Sequence, residues 1–135
     1  MARAEAFSVV QEQMERRTQM RLEQRERTGA ALTQSMERYA AEPIDPAWAA
    51  AKSGQLTAIA NQPEFKEVNA SPTSLSVDCR SSMCRLAAQF DNRVQAESWI
   101  MMYTSSVGGE MPSSLASRSQ NEDGSFHVEI YGRAR

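Results

Sequence analysis

The residues best suited to chemistry in this 135-residue chain are two cysteines, one histidine and a scatter of carboxylates. Cys79 and Cys84 flank Arg80-Ser81-Ser82-Met83. Two cysteines on either side of a four-residue hairpin loop sit at cross-strand distance, within reach of a disulfide. Closing so short a loop stabilises by about 2 kcal/mol on the chain-entropy model. Two alternatives stand beside it. A redox-active pair would want two intervening residues at a helix start, where the dipole lowers a thiol pKa, although Arg80 and Arg85 would also favour a thiolate. A reduced, inert pair is the third reading. The spacing favours the structural disulfide, and with it an oxidising, extracytoplasmic compartment such as a bacterial periplasm.

Other chemistries do not assemble. His127 is the single histidine, and with two cysteines it leaves a metal site one ligand short. A Cys-His nucleophile would need a free thiol. The chain has no G-x-S-x-G elbow, and Gly108-Gly109 lacks the spacing of a phosphate-binding loop. Glu97, Glu110 and Glu129 are dispersed, as surface-solvating acids are. With a formal net charge of −2 and arginines interleaved with glutamates, nucleic acid is not an expected partner. The expectation is a protein with no catalytic residue, no metal and no cofactor.

Stepping outward from the cysteines, the stretch Thr73 to Phe90 reads as a hairpin. Leu75, Val77 and Cys79 alternate with Ser76 and Asp78, and Cys84, Leu86, Ala88 and Phe90 alternate with Arg85, Ala87 and Gln89. Pairing Cys79 with Cys84 sets Val77 opposite Leu86, Leu75 opposite Ala88, and Asp78 opposite Arg85 on the other face. A one-residue slip would destroy all of these matches.

Residues 2 to 41 are rich in Ala, Glu, Gln, Arg and Met and contain no proline, which predicts a long helix. Phe7, Val10 and Met14 recur at helical spacing, and Glu12–Arg16 and Glu23–Arg27 are spaced for ion pairs. Thr28-Gly29 is a candidate break. So polar a helix buries little alone and calls for a partner helix, the neighbouring domain or a second copy. Asp45 and Pro46 begin a second helix through Trp48, Leu56 and Ile59. Residues 63 to 72 read as irregular, with a turn or strand near Phe65 and Val68. Asn92 and Gln95 open a third main helix, apolar through Trp99 and Tyr103. Leu115 to Gln120 and a run from Phe126 read as strands joined at Glu122-Asp123-Gly124. The division expected is a helical lead over 1–41 and an α+β domain over 42–135. Its order, α-α-β-β-α-β-β, implies an antiparallel sheet of two hairpins packed on helices.

The stretch Val77-Asp78-Cys79-Arg80-Ser81-Ser82-Met83-Cys84-Arg85-Leu86 resembles a hairpin motif of exported or membrane-anchored proteins of Gram-negative bacteria. There, V-[DE]-C-R-S-S-x-C-R-[LV] lies between a helix carrying a Trp and another helix. Trp48 and the helix from Asn92 occupy matching places. The resemblance covers residues 45 to 105. It implies an extracytoplasmic location and a disulfide, and no activity.

These readings lead to a non-enzymatic periplasmic protein-interaction domain, membrane-anchored or part of an envelope complex, with residues 2–41 as tether or homodimer contact. Arg80, Ser81, Ser82 and Met83 at an exposed hairpin tip are the candidate contact residues. A toxin-neutralising immunity protein is an alternative. So is a small-ligand carrier with a hydrophobic pocket near Trp99 and Tyr103, since methionines and aromatics line such pockets.

Overall fold

The computed structural model describes residues 2–134. Helix α1 runs without interruption from Ala2 to Ala41. Gly29 neither breaks nor bends it into two elements: a single glycine weakens a helix by about 1 kcal/mol relative to alanine, and good helix formers flank it on both sides. The two expected ion pairs do not form. Glu23 accepts from Gln19, and Arg27 donates to Gln24 at 3.2 Å; Glu12 and Arg16 make no salt bridge among the described residues. The chain divides into two compact units, Met1–Gln34 and Ser35–Arg135. Tyr39, in the last turns of α1, is buried in the second unit.

In that second unit, α2 (Pro46–Ala60) starts where Asp45 accepts from the Trp48 amide, with Pro46 in the first turn. It buries Ala49, Leu56 and Ala60. Pro63 then starts a further short helix, α3 (Pro63–Glu67), where the sequence suggested irregular chain or strand. Proline is preorganised for a first helical turn, and Phe65 anchors that turn in the core. Asn69, at φ 54°, ends it in the left-handed conformation, and the Ala70 amide returns to the Phe65 carbonyl at 2.7 Å.

Strands β1 (Ser74–Cys79), β2 (Met83–Phe90), β3 (Ser113–Gln120) and β4 (Phe126–Arg133) form one antiparallel sheet in the order β1-β2-β4-β3. The first hairpin has the register its alternation demands, with Cys79 opposite Cys84, Val77 opposite Leu86 and Asp78 opposite Arg85. Helix α4 (Arg93–Val107) is capped by Asn92, which accepts from the Gln95 amide at 3.0 Å. A 3₁₀ turn, Gly108–Glu110, leads into β3. The architecture is α+β.

One sheet face carries Leu86, Ala88, Phe90, Val128 and Ile130 into a core shared with α2 and α4. Trp99 is fully buried there, stacked on Tyr103 with ring centroids 5.1 Å apart and tilted against Phe90 at 5.5 Å. Its indole N–H donates to the Ala60 carbonyl, tying α4 to α2. Gly132 in β4 is a place where only glycine fits easily: a Cβ there would meet Met111 Cε at 2.8 Å and Ser114 Oγ at 3.3 Å.

Candidate functional site

The disulfide between Cys79 and Cys84 closes the loop end of the first hairpin. Above it, Arg80 donates its amide to the Met83 carbonyl at 2.8 Å. This leaves the successive N–H groups of Ser81, Ser82 and Met83 pointing the same way. They converge on one carboxylate, that of Glu42, just beyond the end of α1. Ser81 N–H donates to it at 2.8 Å and Met83 N–H at 2.9 Å; Ser82 donates both its amide and, at 2.7 Å, its hydroxyl. Consecutive amides arranged in this way form a concave anion site. Partial burial pushes the Glu42 carboxyl up, but the Ser82 hydroxyl and the three amides together outweigh it and hold the pKa down at about 2.

Other contacts converge on the same loop. The Asp45 amide donates to the Arg80 carbonyl at 3.4 Å, and Ala134, following β4, donates to the Ser82 carbonyl at 3.0 Å. Tyr39 donates its hydroxyl to the Asp78 carbonyl. Its ring packs edge-on against Tyr131 at 5.7 Å and carries the Arg80 guanidinium 4.7 Å above its centroid. Around these rings lies an open groove of about 530 Å³ whose rim includes Met36, Ile44, Asp78 and Arg85. The groove mixes two guanidinium groups, an exposed carboxylate and apolar side chains; it presents no nucleophile beside a base.

Arg85 does not turn towards Asp78, its cross-strand neighbour. It pairs with Glu129 on the opposite neighbouring strand and donates to the Tyr131 hydroxyl at 3.2 Å. Burial alone would depress the Arg85 pKa, but Glu129 and Tyr131 raise it above its ordinary value, so the guanidinium stays charged. His127 lies on this polar face, with Gln89 against Nδ1 and Glu129 at 3.7 Å from Nε2. No group of three or more potential metal ligands occurs among the described residues.

The expected contact residues are therefore distributed differently than an exposed tip would have them. Met83 is fully buried and Ser81 and Ser82 are half-buried, because the loop is folded onto Glu42 rather than projecting into solvent. Arg80 remains partly open beside the groove. Trp99 and Tyr103 are core residues. Burial pushes the Tyr103 phenol well above its usual pKa, and neither ring lines the groove at the hairpin. Helical spacing places Tyr39 on an apolar stripe with Met36, without its partners at the hairpin; Glu42 is the residue that sequence patterning missed. Nothing local marks it as a carboxylate whose partners lie 39 to 41 residues further on.

The first unit is a single helix with every described side chain up to Ala30 exposed. Phe7 is 71% exposed, Met14 62% and Val10 52%, too much apolar surface for a helix that has finished its packing. Among the described residues no helix is long and apolar enough to cross a membrane.

No protein-family model, no curated protein and no solved structure matches the chain.

Proposed function

We propose that the chain is a non-enzymatic protein-interaction domain of an extracytoplasmic compartment, the bacterial periplasm, acting as an anchored or assembled component of the cell envelope. The observation that carries this reading is the uncovered helix over residues 3–30: Phe7, Val10 and Met14 on it are open to solvent. A helix of that composition gains its stability and its role from something that covers it. The Cys79–Cys84 disulfide supports the compartment, since such bonds persist where the medium is oxidising. The hairpin sequence supports it again through its resemblance to exported Gram-negative proteins.

The test combines compartment and contact. Thiols are blocked in the native host before lysis, the cell is fractionated, and the intact mass is measured. Unlabelled Cys79 and Cys84 in the periplasmic or membrane fraction are expected; two labelled thiols in the cytosol would overturn the compartment. A photo-crosslinking residue at Phe7 or Met14 is expected to form one defined adduct in the same cells. If neither site yields a defined adduct, the interaction reading fails.

A further inference from the structure

Resting on that interaction reading, we infer that the occupant of the exposed helix is a second copy of the same helix, running antiparallel, with its midpoint between Met14 and Glu15. The first argument is the spacing of the stripe. Ala4, Phe7, Gln11, Met14, Thr18, Leu22 and Arg25 follow one another at three- and four-residue steps and so share a helix face. Reversal about the midpoint brings Phe7 opposite Leu22, Gln11 opposite Thr18, Ala4 opposite Arg25, and Met14 beside its own mate. Both members of the Phe7–Leu22 layer are largely exposed in the single chain. Small Ala4 leaves room for the Arg25 stem to lie across the partner.

The second argument is charge. Residues 2–15 hold Arg3 against Glu5, Glu12 and Glu15, a net −2; residues 16–27 hold Arg16, Arg17, Arg21, Arg25 and Arg27 against Glu23 and Glu26, a net +3. An antiparallel pair lays the acidic part of each copy along the basic part of the other. In the same register Glu12 falls opposite Arg17 and Arg3 opposite Glu26, and no two like charges fall directly opposite. A parallel, in-register pair would do the reverse, setting each charge against its own copy and placing Arg25 against Arg25 within the stripe. Both dimers have closed two-fold symmetry; only the antiparallel one is charge-complementary.

The full chain, with its disulfide intact, offers a direct test. A single added thiol, Gln24→Cys, can be spin-labelled without touching Cys79 or Cys84. In the antiparallel dimer the two labelled positions are offset by nineteen residues, about 28 Å along the axis at 1.5 Å per residue; in a parallel dimer the labels lie within about 15 Å on the same geometry. A dimer by sedimentation with a distance near 30 Å is the expected result. Arg17→Glu is expected to weaken that dimer about tenfold, and Glu12→Arg combined with Arg17→Glu to restore it. A dimer with the short distance overturns the antiparallel arrangement and leaves the interaction reading standing. A monomer at 100 μM (roughly the concentration for a weak dimer, near −5.5 kcal/mol) overturns self-pairing altogether. A photo-adduct to a different protein in the host would then separate this failure from failure of the broader reading.

Discussion

The Ser82 hydroxyl donates to the Glu42 carboxylate at 2.7 Å across a sequence separation of 40 residues. With the amides of Ser81, Ser82 and Met83 on the same carboxylate, this joins the end of α1 to the disulfide hairpin. Glu42→Ala would leave those donors to water in a half-buried site. A loss of about 2 kcal/mol is expected, in the range for removing the partner of several charge-assisted hydrogen bonds. Urea denaturation of the two proteins checks it. A change under about 0.5 kcal/mol, the level of ordinary surface substitutions, would mean that the carboxylate merely rests there.

The same carboxylate makes stability depend on acid. Its pKa in the folded chain is about 2, against an ordinary value of 4.5. A folded pKa below the unfolded one gives stability that is fully present above the ordinary value and lost as pH falls from there through about 2. The stability gap between the native protein and Glu42→Gln should therefore narrow between pH 5 and pH 2.5, roughly the span the linkage defines. A gap that stays constant on acidification would contradict this assignment.

Replacing both Cys79 and Cys84 by alanine is expected to cost about 2 kcal/mol, the loop-closure value for so short a ring. The pair and Glu42 constrain one loop, so their losses should not add. The triple substitution should fall short of the sum by 0.5 kcal/mol or more, the usual sign of coupled sites. Simple additivity would show that the carboxylate and the disulfide act independently.

Asp78 and Glu129 make a contrasting pair of substitutions. Asp78 lies opposite Arg85 in register but is exposed, whereas Glu129 holds the guanidinium. Asp78→Ala is expected to change stability by less than about 0.5 kcal/mol and Glu129→Ala to destabilise by about 1–3 kcal/mol, because the latter strands a half-buried cation. Thermal melts would rank them, and equal effects would show that Arg85 is shared.

Trp99→Ala is expected to destabilise by about 3–5 kcal/mol, the range for emptying a buried aromatic site. It also removes the donor to the Ala60 carbonyl. Loss of near-ultraviolet ellipticity together with this destabilisation would confirm that the ring is structural. A neutral effect would reopen the case for a cavity beside it.

Much of the architecture was legible because it is written in short-range pattern. Alternation from Leu75 to Phe90 admits one register, and Asp45 and Asn92 announce the helices they cap. What stayed hidden depended on distance. Arg85 had two acidic neighbours available across two strands, and alternation within one hairpin exposes only Asp78; the preference for Glu129 arises once β4 is placed beside β2. Pro63 starts a short helix in a stretch that reads as irregular, since its fixed φ suits a first helical turn. Pattern alone leaves the tip exposed; Met83 is buried and Ser81 and Ser82 half-buried because the loop folds onto Glu42, 40 residues before Ser82. The readings of compartment and partner concern what lies beyond the folded chain, and pattern within it speaks to them only through the disulfide and the uncovered helix.

The hairpin loop treats Glu42 as a tethered guest. The four donors that meet it would hold a free carboxylate such as acetate only weakly, but attachment through the chain raises the effective concentration of this one to a level that a dissolved competitor does not match. Residues 35–45 therefore belong to the domain as surely as the strands do. A truncation made in the proline-flanked stretch after α1, where composition alone would invite the cut, would remove the guest and leave its cradle of amides open at the hairpin's tip.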